Sequence, residues 1–130
     1  MSVILDTSIM IGLQRGDQRV KKEIESLSRI FPATPLITFL NIFEYIVGIS
    51  RLTKRKAQAM ELLENFDIVN TTAKTAEVMA SLRLKYDKRG MRLSLSDLLI
   101  AGLAVENDMV LVTSDKDFGV IKELKVKFVA

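Results

Sequence analysis

Four acids in this chain stand where a carboxylate is costly unless it does something. Asp6 directly follows the apolar run Val3-Ile4-Leu5. Asp115 follows Met109-Val110-Leu111-Val112 after only Thr113 and Ser114. Glu44 lies inside an almost wholly apolar stretch from Leu36 to Ile49. Asp97 opens the most apolar run of the chain, Leu98 to Val105. Burying any one of them alone is unfavourable unless it is paired or bound to a cation. If they meet, mutual repulsion raises the pKa of some of them, and a divalent cation removes the conflict. All-oxygen ligands favour a hard ion, Mg2+ or Mn2+. Such an ion polarises a phosphoryl oxygen and activates water at neutral pH. Plainer roles stay open: Asp6, Asp97 and Asp115 can each serve the start of a helix, and Glu44 can face water. Strand reading places Asp6 and Asp115 at one sheet edge; it does not bring Glu44 and Asp97 there.

The composition narrows the chemistry. There is no histidine and no cysteine among 130 residues, which removes Ser-His-Asp and Cys-His catalysis, His- or thiolate-ligated zinc, and disulfides. Apolar residues make up 48% of the chain, with six Met and few aromatics, so an aliphatic core is expected. No linker, repeat or low-complexity tract interrupts it, and residues 1–130 read as one domain. Asp6 and Arg15 break the apolar N-terminal stretch, and no run reaches the roughly 18 apolar residues of a membrane span; a soluble cytoplasmic protein is expected. The net charge of +3 is modest, but its placement is uneven. Arg51, Lys54, Arg55 and Lys56 form one basic run. Arg83, Lys85, Lys88, Arg89 and Arg92 form another, with only Asp87 among them. Such runs are solvated helix ends or phosphate contacts.

The elements that must position the acids can be read from periodicity and punctuation. Val3–Leu5, Leu36-Ile37, Ile68-Val69, Met109–Val112 and Val126–Val129 read as strands. Asp6-Thr7-Ser8 leads into a short helix over Ile9–Leu13 closed by Gly16, and Asp17 can cap the next, with Val20, Ile24, Leu27 and Ile30/Phe31 on one face. Helices follow over Thr38 to about Leu52, Thr53 to about Asn65 with Ala57, Met60, Leu62 and Leu63 inward, Thr71 or Thr72 to Lys88, and Ser94 to about Asn107; Asp117 to Ile121 makes a helical turn. Helical spacing puts Asn41, Glu44 and Gly48 on one stripe, and the missing side chain at Gly48 leaves room for a ligand beside Glu44. Strands alternating with helices indicate an α/β/α sandwich on a mainly parallel sheet of four or five strands. The strands' carboxyl ends then share one edge, where ligands bind in such folds.

These residues resemble a known family. Ile4-Leu5-Asp6-Thr7-Ser8 is similar to the first motif of PIN-domain ribonucleases, Glu44 with Gly48 to the second, Ser96-Asp97-Leu98-Leu99-Ile100-Ala101 to the third, and Leu111-Val112-Thr113-Ser114-Asp115-Lys116-Asp117-Phe118 to the fourth. The resemblance implies Mg2+- or Mn2+-dependent cleavage of RNA. It implies that Asp6, Glu44 and Asp97 hold or orient the metal, with Asp115 as fourth acid and Asp117 as a second candidate for that place. Many relatives carry Asn where Asp115 stands, so the fourth position departs from the commonest pattern. Thr7, Ser8 and Thr113 are implied to support the acids by hydrogen bonds, and Asn41 shares the Glu44 stripe. Arg51, Lys54, Arg55, Lys56, Lys85, Lys88, Arg89 and Arg92 are then expected to hold RNA phosphates; Tyr86 is a candidate for base stacking, with a packed or solvated side chain as its plainer and favoured role. The compact length looks most like the VapC toxins of toxin–antitoxin pairs, which implies a homodimer and a cognate antitoxin. A PIN nuclease of RNA processing without an antitoxin has the same site chemistry. A binding-only PIN domain or a receiver-like phosphoacceptor is the non-enzymatic alternative. A receiver should show a second acid beside Asp6 and a strand lysine near the end, whereas Lys122 lies outside any expected strand.

Overall fold

A computed structural model describes residues 2–129 of the chain. Five strands, β1 (Val3–Leu5), β2 (Leu36–Ile37), β3 (Asp67–Ile68), β4 (Val110–Thr113) and β5 (Lys125–Phe128), alternate with six helices. The helices are α1 (Thr7–Gln14), α2 (Gln18–Ile30), α3 (Phe39–Leu52), α4 (Lys56–Glu61), α5 (Ala73–Lys88) and α6 (Leu95–Glu106). Short 3-10 turns cover Leu62–Asn65 and Lys116–Val120. The sheet order is β3-β2-β1-β4-β5 and every pairing is parallel. The chain builds outward from β1 on one side, then returns to add β4 and β5 on the other. The order therefore reverses at β1/β4, where open α/β sheets hold their ligands.

Period-two alternation along the strands produces two cores. Val3, Leu5 and Val112 face one layer, packing with Ile9 and Met10 of α1, Val20 and Leu27 of α2, and Tyr45 and Ile49 of α3. Ile4 and Leu111 face the other, against Leu82 and Tyr86 of α5 and most of α6. The three-layer α/β/α sandwich read from the sequence is thus the observed one. Helix α6 is buried on all sides from Leu98 to Ala104, which explains its uninterrupted apolar run. It packs closely on α5 because Gly102 has no side chain; a Cβ there would lie 2.7 Å from Met79 Cγ.

Local chemistry sets the ends. Asp17 caps α2 by accepting from the backbone N–H groups of Arg19 (2.9 Å) and Val20 (3.3 Å). Gly16 (φ +74°) makes the preceding turn, a conformation cheap only without a Cβ. The basic helix expected over 53–65 is broken instead. It survives as α4 and a 3-10 turn, Ala57 is exposed and Ala59 is the buried residue. The cause is a tertiary bond: the fully buried Tyr45 hydroxyl donates to the Ala59 carbonyl at 2.6 Å. Ile30 points to solvent, 66% exposed, because α2 meets the sheet through Val20 and Leu27.

Candidate active site

Asp6 stands at the N-cap position of α1 yet makes no side-chain capping hydrogen bond. Its Oδ2 instead accepts from the Thr113 hydroxyl at 2.8 Å and the Ser8 hydroxyl at 3.3 Å. The sheet brings these partners together: Leu5 pairs with Val112, and the Asp6 N–H donates to the Val112 carbonyl at 3.0 Å. Both hydroxyls have a second partner that can only donate. Thr113 Oγ1 accepts from the Asp115 N–H at 3.0 Å, and Ser8 Oγ accepts from the Ser114 N–H at 3.1 Å. Each hydroxyl must therefore direct its own proton to Asp6.

Glu44 reaches the same place from α3. The Thr7 hydroxyl donates to its Oε1 at 2.8 Å, and the Asn41 amide donates to Thr7 Oγ1 at 3.0 Å. Gly48 does not open a ligand space. A Cβ there would lie 3.3 Å from Ile11 Cδ1, so the glycine lets α1 and α3 approach.

Asp97 is the third residue of α6, whose start is capped by the Ser94 hydroxyl accepting from the Asp97 N–H at 3.1 Å. Asp115 does take the plainer role as well, since its Oδ1 accepts from the Asp117 N–H at 2.9 Å and caps the 3-10 turn.

Electrostatics tie the acids into one cluster. Burial pushes Asp6 above the usual carboxylate range; the Thr113, Thr7 and Ser8 hydrogen bonds pull it back in part, and the charge of Glu44 raises it again. Burial raises Asp97 too, with Ser94 opposing and the charges of Asp115, Asp6 and Asp117 reinforcing. So Asp97, which strand reading could not place, lies within the field of the other acids. The donors are all oxygen. Among the described residues no three acidic side chains form a ready-made cation cage. An open set of oxygen donors of this kind would suit a hard divalent cation that takes one or two carboxylates directly.

The basic residues divide. Arg51, Lys54, Arg55 and Lys56 are exposed where α3 passes into α4, and Lys88, Arg89 and Arg92 are exposed between α5 and α6. Lys85 is engaged, pairing with Glu123 at 3.0 Å. Tyr86 is wholly buried; its hydroxyl donates to Glu123 at 2.6 Å and accepts from the Lys122 N–H at 2.8 Å. It cannot stack on a base. Sequence reading opens helices at Thr38, 1% exposed, and at Ser94, but gives neither a part in holding the acids. Each lies three residues before a polar residue at the head of an apolar helix, a capping signature.

Comparison with known proteins agrees with this geometry. The PIN domain model matches residues 3–124. Ribonuclease VapC5 of Mycobacterium tuberculosis is 27% identical over 123 residues, covering 91% of this chain and 86% of that relative. A toxin–antitoxin complex from Klebsiella pneumoniae superposes with a TM-score of 0.77 at 27% identity, covering 99% of this chain and 98% of that one. VapBC2 from Rickettsia felis, bound to a DNA fragment from its promoter, gives 0.85 at 24% identity over the whole of both chains. With a family match over nearly its full length, and Asp6 and Asp115 following neighbouring strands at the carboxyl edge of a parallel sheet, the chain belongs to the PIN-domain family.

Proposed function

We propose that this protein is a divalent-metal-dependent endoribonuclease and the toxin of a toxin–antitoxin pair. The observation that carries the reading is the setting of Asp6, braced from β4 by Thr113, reached by the charge of Glu44 from α3, and itself acting with Asp115 and Asp117 on Asp97 of α6. Asp6, Glu44 and Asp97 would hold Mg2+ or Mn2+, with Asp115 and Asp117 beside them. The ion supplies Lewis acidity toward a phosphoryl oxygen and toward water. The protein's own contribution is orientation. Thr113 and Ser8 fix Asp6, Thr7 fixes Glu44, and Ser94 fixes the turn that presents Asp97. The exposed Arg51, Lys54, Arg55, Lys88, Arg89 and Arg92 attract the RNA backbone by charge and counterion release. Lys85 adds to them only at the expense of its Glu123 pair.

The similarity to VapC5 and to toxin–antitoxin complexes supports the toxin role and an antitoxin partner. A homodimer fits the apolar surface next to the site. Phe39 (61%), Phe43 (60%) and Leu95 (68%) are exposed, and Phe39, Leu40, Met79, Leu95 and Leu99 line one groove. A monomer rarely leaves such a patch uncovered. Among the described residues no helix is long and apolar enough to cross a membrane, and a cytoplasmic site of action follows from the RNA substrate proposed.

The test is cleavage of defined RNAs by wild type, Asp6→Asn and Asp97→Asn, with Mg2+ or Mn2+ and with EDTA. Wild type should cleave only with metal, and both variants should fold and lose on the order of a hundredfold or more in rate. Retained cleavage by either variant, in a preparation free of other nucleases, defeats the assignment.

A further inference from the structure

The Thr7 hydroxyl differs from those of Thr113 and Ser8 in that a side chain sets its proton direction. At Asp6 the directing groups are backbone N–H groups, fixed by the chain path. At Glu44 the directing group is the Asn41 amide, which could in principle face either way. Two bonds from Thr38 settle its orientation. Asn41 Oδ1 accepts from the Thr38 hydroxyl at 2.7 Å and from the Thr38 N–H at 3.4 Å. The Thr38 hydroxyl in turn accepts from the Asn41 N–H at 3.0 Å and turns its own proton to Oδ1. A flipped amide would set Nδ2 against the Thr38 N–H, which can only donate. Nδ2 must therefore face Thr7, and an amide nitrogen can only donate. Thr7 Oγ1 accepts that proton and is left one direction for its own, toward Glu44 Oε1 at 2.8 Å. Thr38 and Asn41 are 1% and 4% exposed, so water does not compete for these bonds.

We infer that Asn41 is a positioning residue for Glu44, acting through the Thr7 hydroxyl and locked in orientation by the Thr38 cap. The inference rests on the reading of Glu44 as a metal-holding acid. With the Thr7 proton committed, Glu44 is held as an acceptor with its Oε1 fixed in place. Without Nδ2 the Thr7 hydroxyl is free to rotate, and Glu44 loses its fixed orientation.

A substitution can remove Nδ2 and spare the helix cap. At the start of α5 the chain already uses Thr in the equivalent place, where the Thr72 N–H donates to Thr75 Oγ1 at 3.0 Å. Asn41→Thr should cap α3 in the same way while carrying no amide toward Thr7. The experiment is a double-mutant cycle on the full chain with Asn41→Thr and Thr7→Val, reading Mn2+ affinity from the free-ion spin-resonance signal and the thermal midpoint in parallel. Each single variant should weaken Mn2+ binding by roughly tenfold, in the range found for groups that orient metal ligands. The double variant should bind no worse than Thr7→Val alone, because the Asn41 effect has no other route. Thr7→Ser, which keeps the hydroxyl, should bind as wild type. The inference is overturned if Asn41→Thr binds Mn2+ as wild type, or if its loss persists undiminished in the Thr7→Val background. Failure of the wild type itself to bind Mn2+, or binding unchanged by Asp6→Asn, would count against the acid site and not against the Asn41 route alone.

Discussion

Helices α3 and α5 start on a similar device and use it on two different acids. At α3 the Thr38 N–H reaches Asn41 Oδ1; at α5 the Thr72 N–H reaches Thr75 Oγ1. In both, the third helical residue is buried and passes a hydrogen bond outward to a distant element. Thr75 donates to Glu106 Oε1 at 2.5 Å and Thr72 donates to Glu106 Oε2 at 3.4 Å. Both Glu106 oxygens are thus occupied by hydroxyls, and the acid ties the end of α6 to the start of α5. Glu44 is engaged by Thr7 through Oε1 and adds its charge to the field on Asp6. The difference teaches where to look for function. A carboxylate whose two oxygens are both held by the protein is a fastener; one held by a single hydroxyl and pressed against other acids is available to a ligand.

Substitution should separate the two acids sharply. Glu44→Gln is expected to cut metal-dependent RNA cleavage by on the order of a hundredfold or more, whereas Glu106→Gln should leave the rate per folded molecule unchanged. An inactive but folded Glu106→Gln protein would break the comparison. In stability the order reverses. Glu106→Gln weakens two hydrogen bonds to a charged group and should cost about 1–2 kcal/mol in urea unfolding. Asp6→Asn should stabilise the metal-free protein by about 1 kcal/mol, since it relieves a buried carboxylate repelled by Glu44. A destabilised Asp6→Asn variant would show that Asp6, too, is a fastener.

The smallest effect is in pH. Asp6 and Asp97 are raised in the folded state, so folding binds protons in the window between their raised values and the ordinary carboxylate range. The metal-free protein should gain stability as pH falls through that window. Partial burial pushes Glu123 up, but its hydrogen bonds to Tyr86 and Lys85 outweigh this and leave it lowered. Its contribution is fully present above the ordinary carboxylate pKa and is lost below it, as pH falls through the folded value. A thermal midpoint that rises and then drops on acidification checks both signs, and Asp6→Asn should flatten the rise.

The parts legible in the sequence were those fixed by local pattern. Runs of β-branched residues gave the central strands, and the acids at their ends placed Asp6 and Asp115 at one edge. Glu44 stood out because its surroundings are apolar. Asp97 stands out at the head of the most apolar run, but only the family resemblance joins it to the other acids, since nothing in its own helix says where that helix packs. Partnerships between remote elements were not legible. Tyr86 sits in a basic run and leaves stacking and packing both open, and only the chain near Glu123, returning over it, decides for packing. The gap at Gly48 reads as ligand space, yet Ile11 fills it from another helix. Ala57 and Ala59 are chemically alike, and only the Tyr45 hydroxyl decides which of them turns inward.

The hydrogen bond from Thr113 to Asp6 joins residues 107 positions apart. It is made by β4, which reaches β1 only after both flanking strands on the other side and all six helices have been synthesised. Contacts of such long sequence separation form late and slowly, and chains emerge at only about 5–20 residues per second. A growing chain therefore carries Asp6 without its Thr113 brace until β4 has been made. For the ribonuclease activity proposed above, this order is protective. The acid cluster is held in place only once β4 has joined the sheet beside β1.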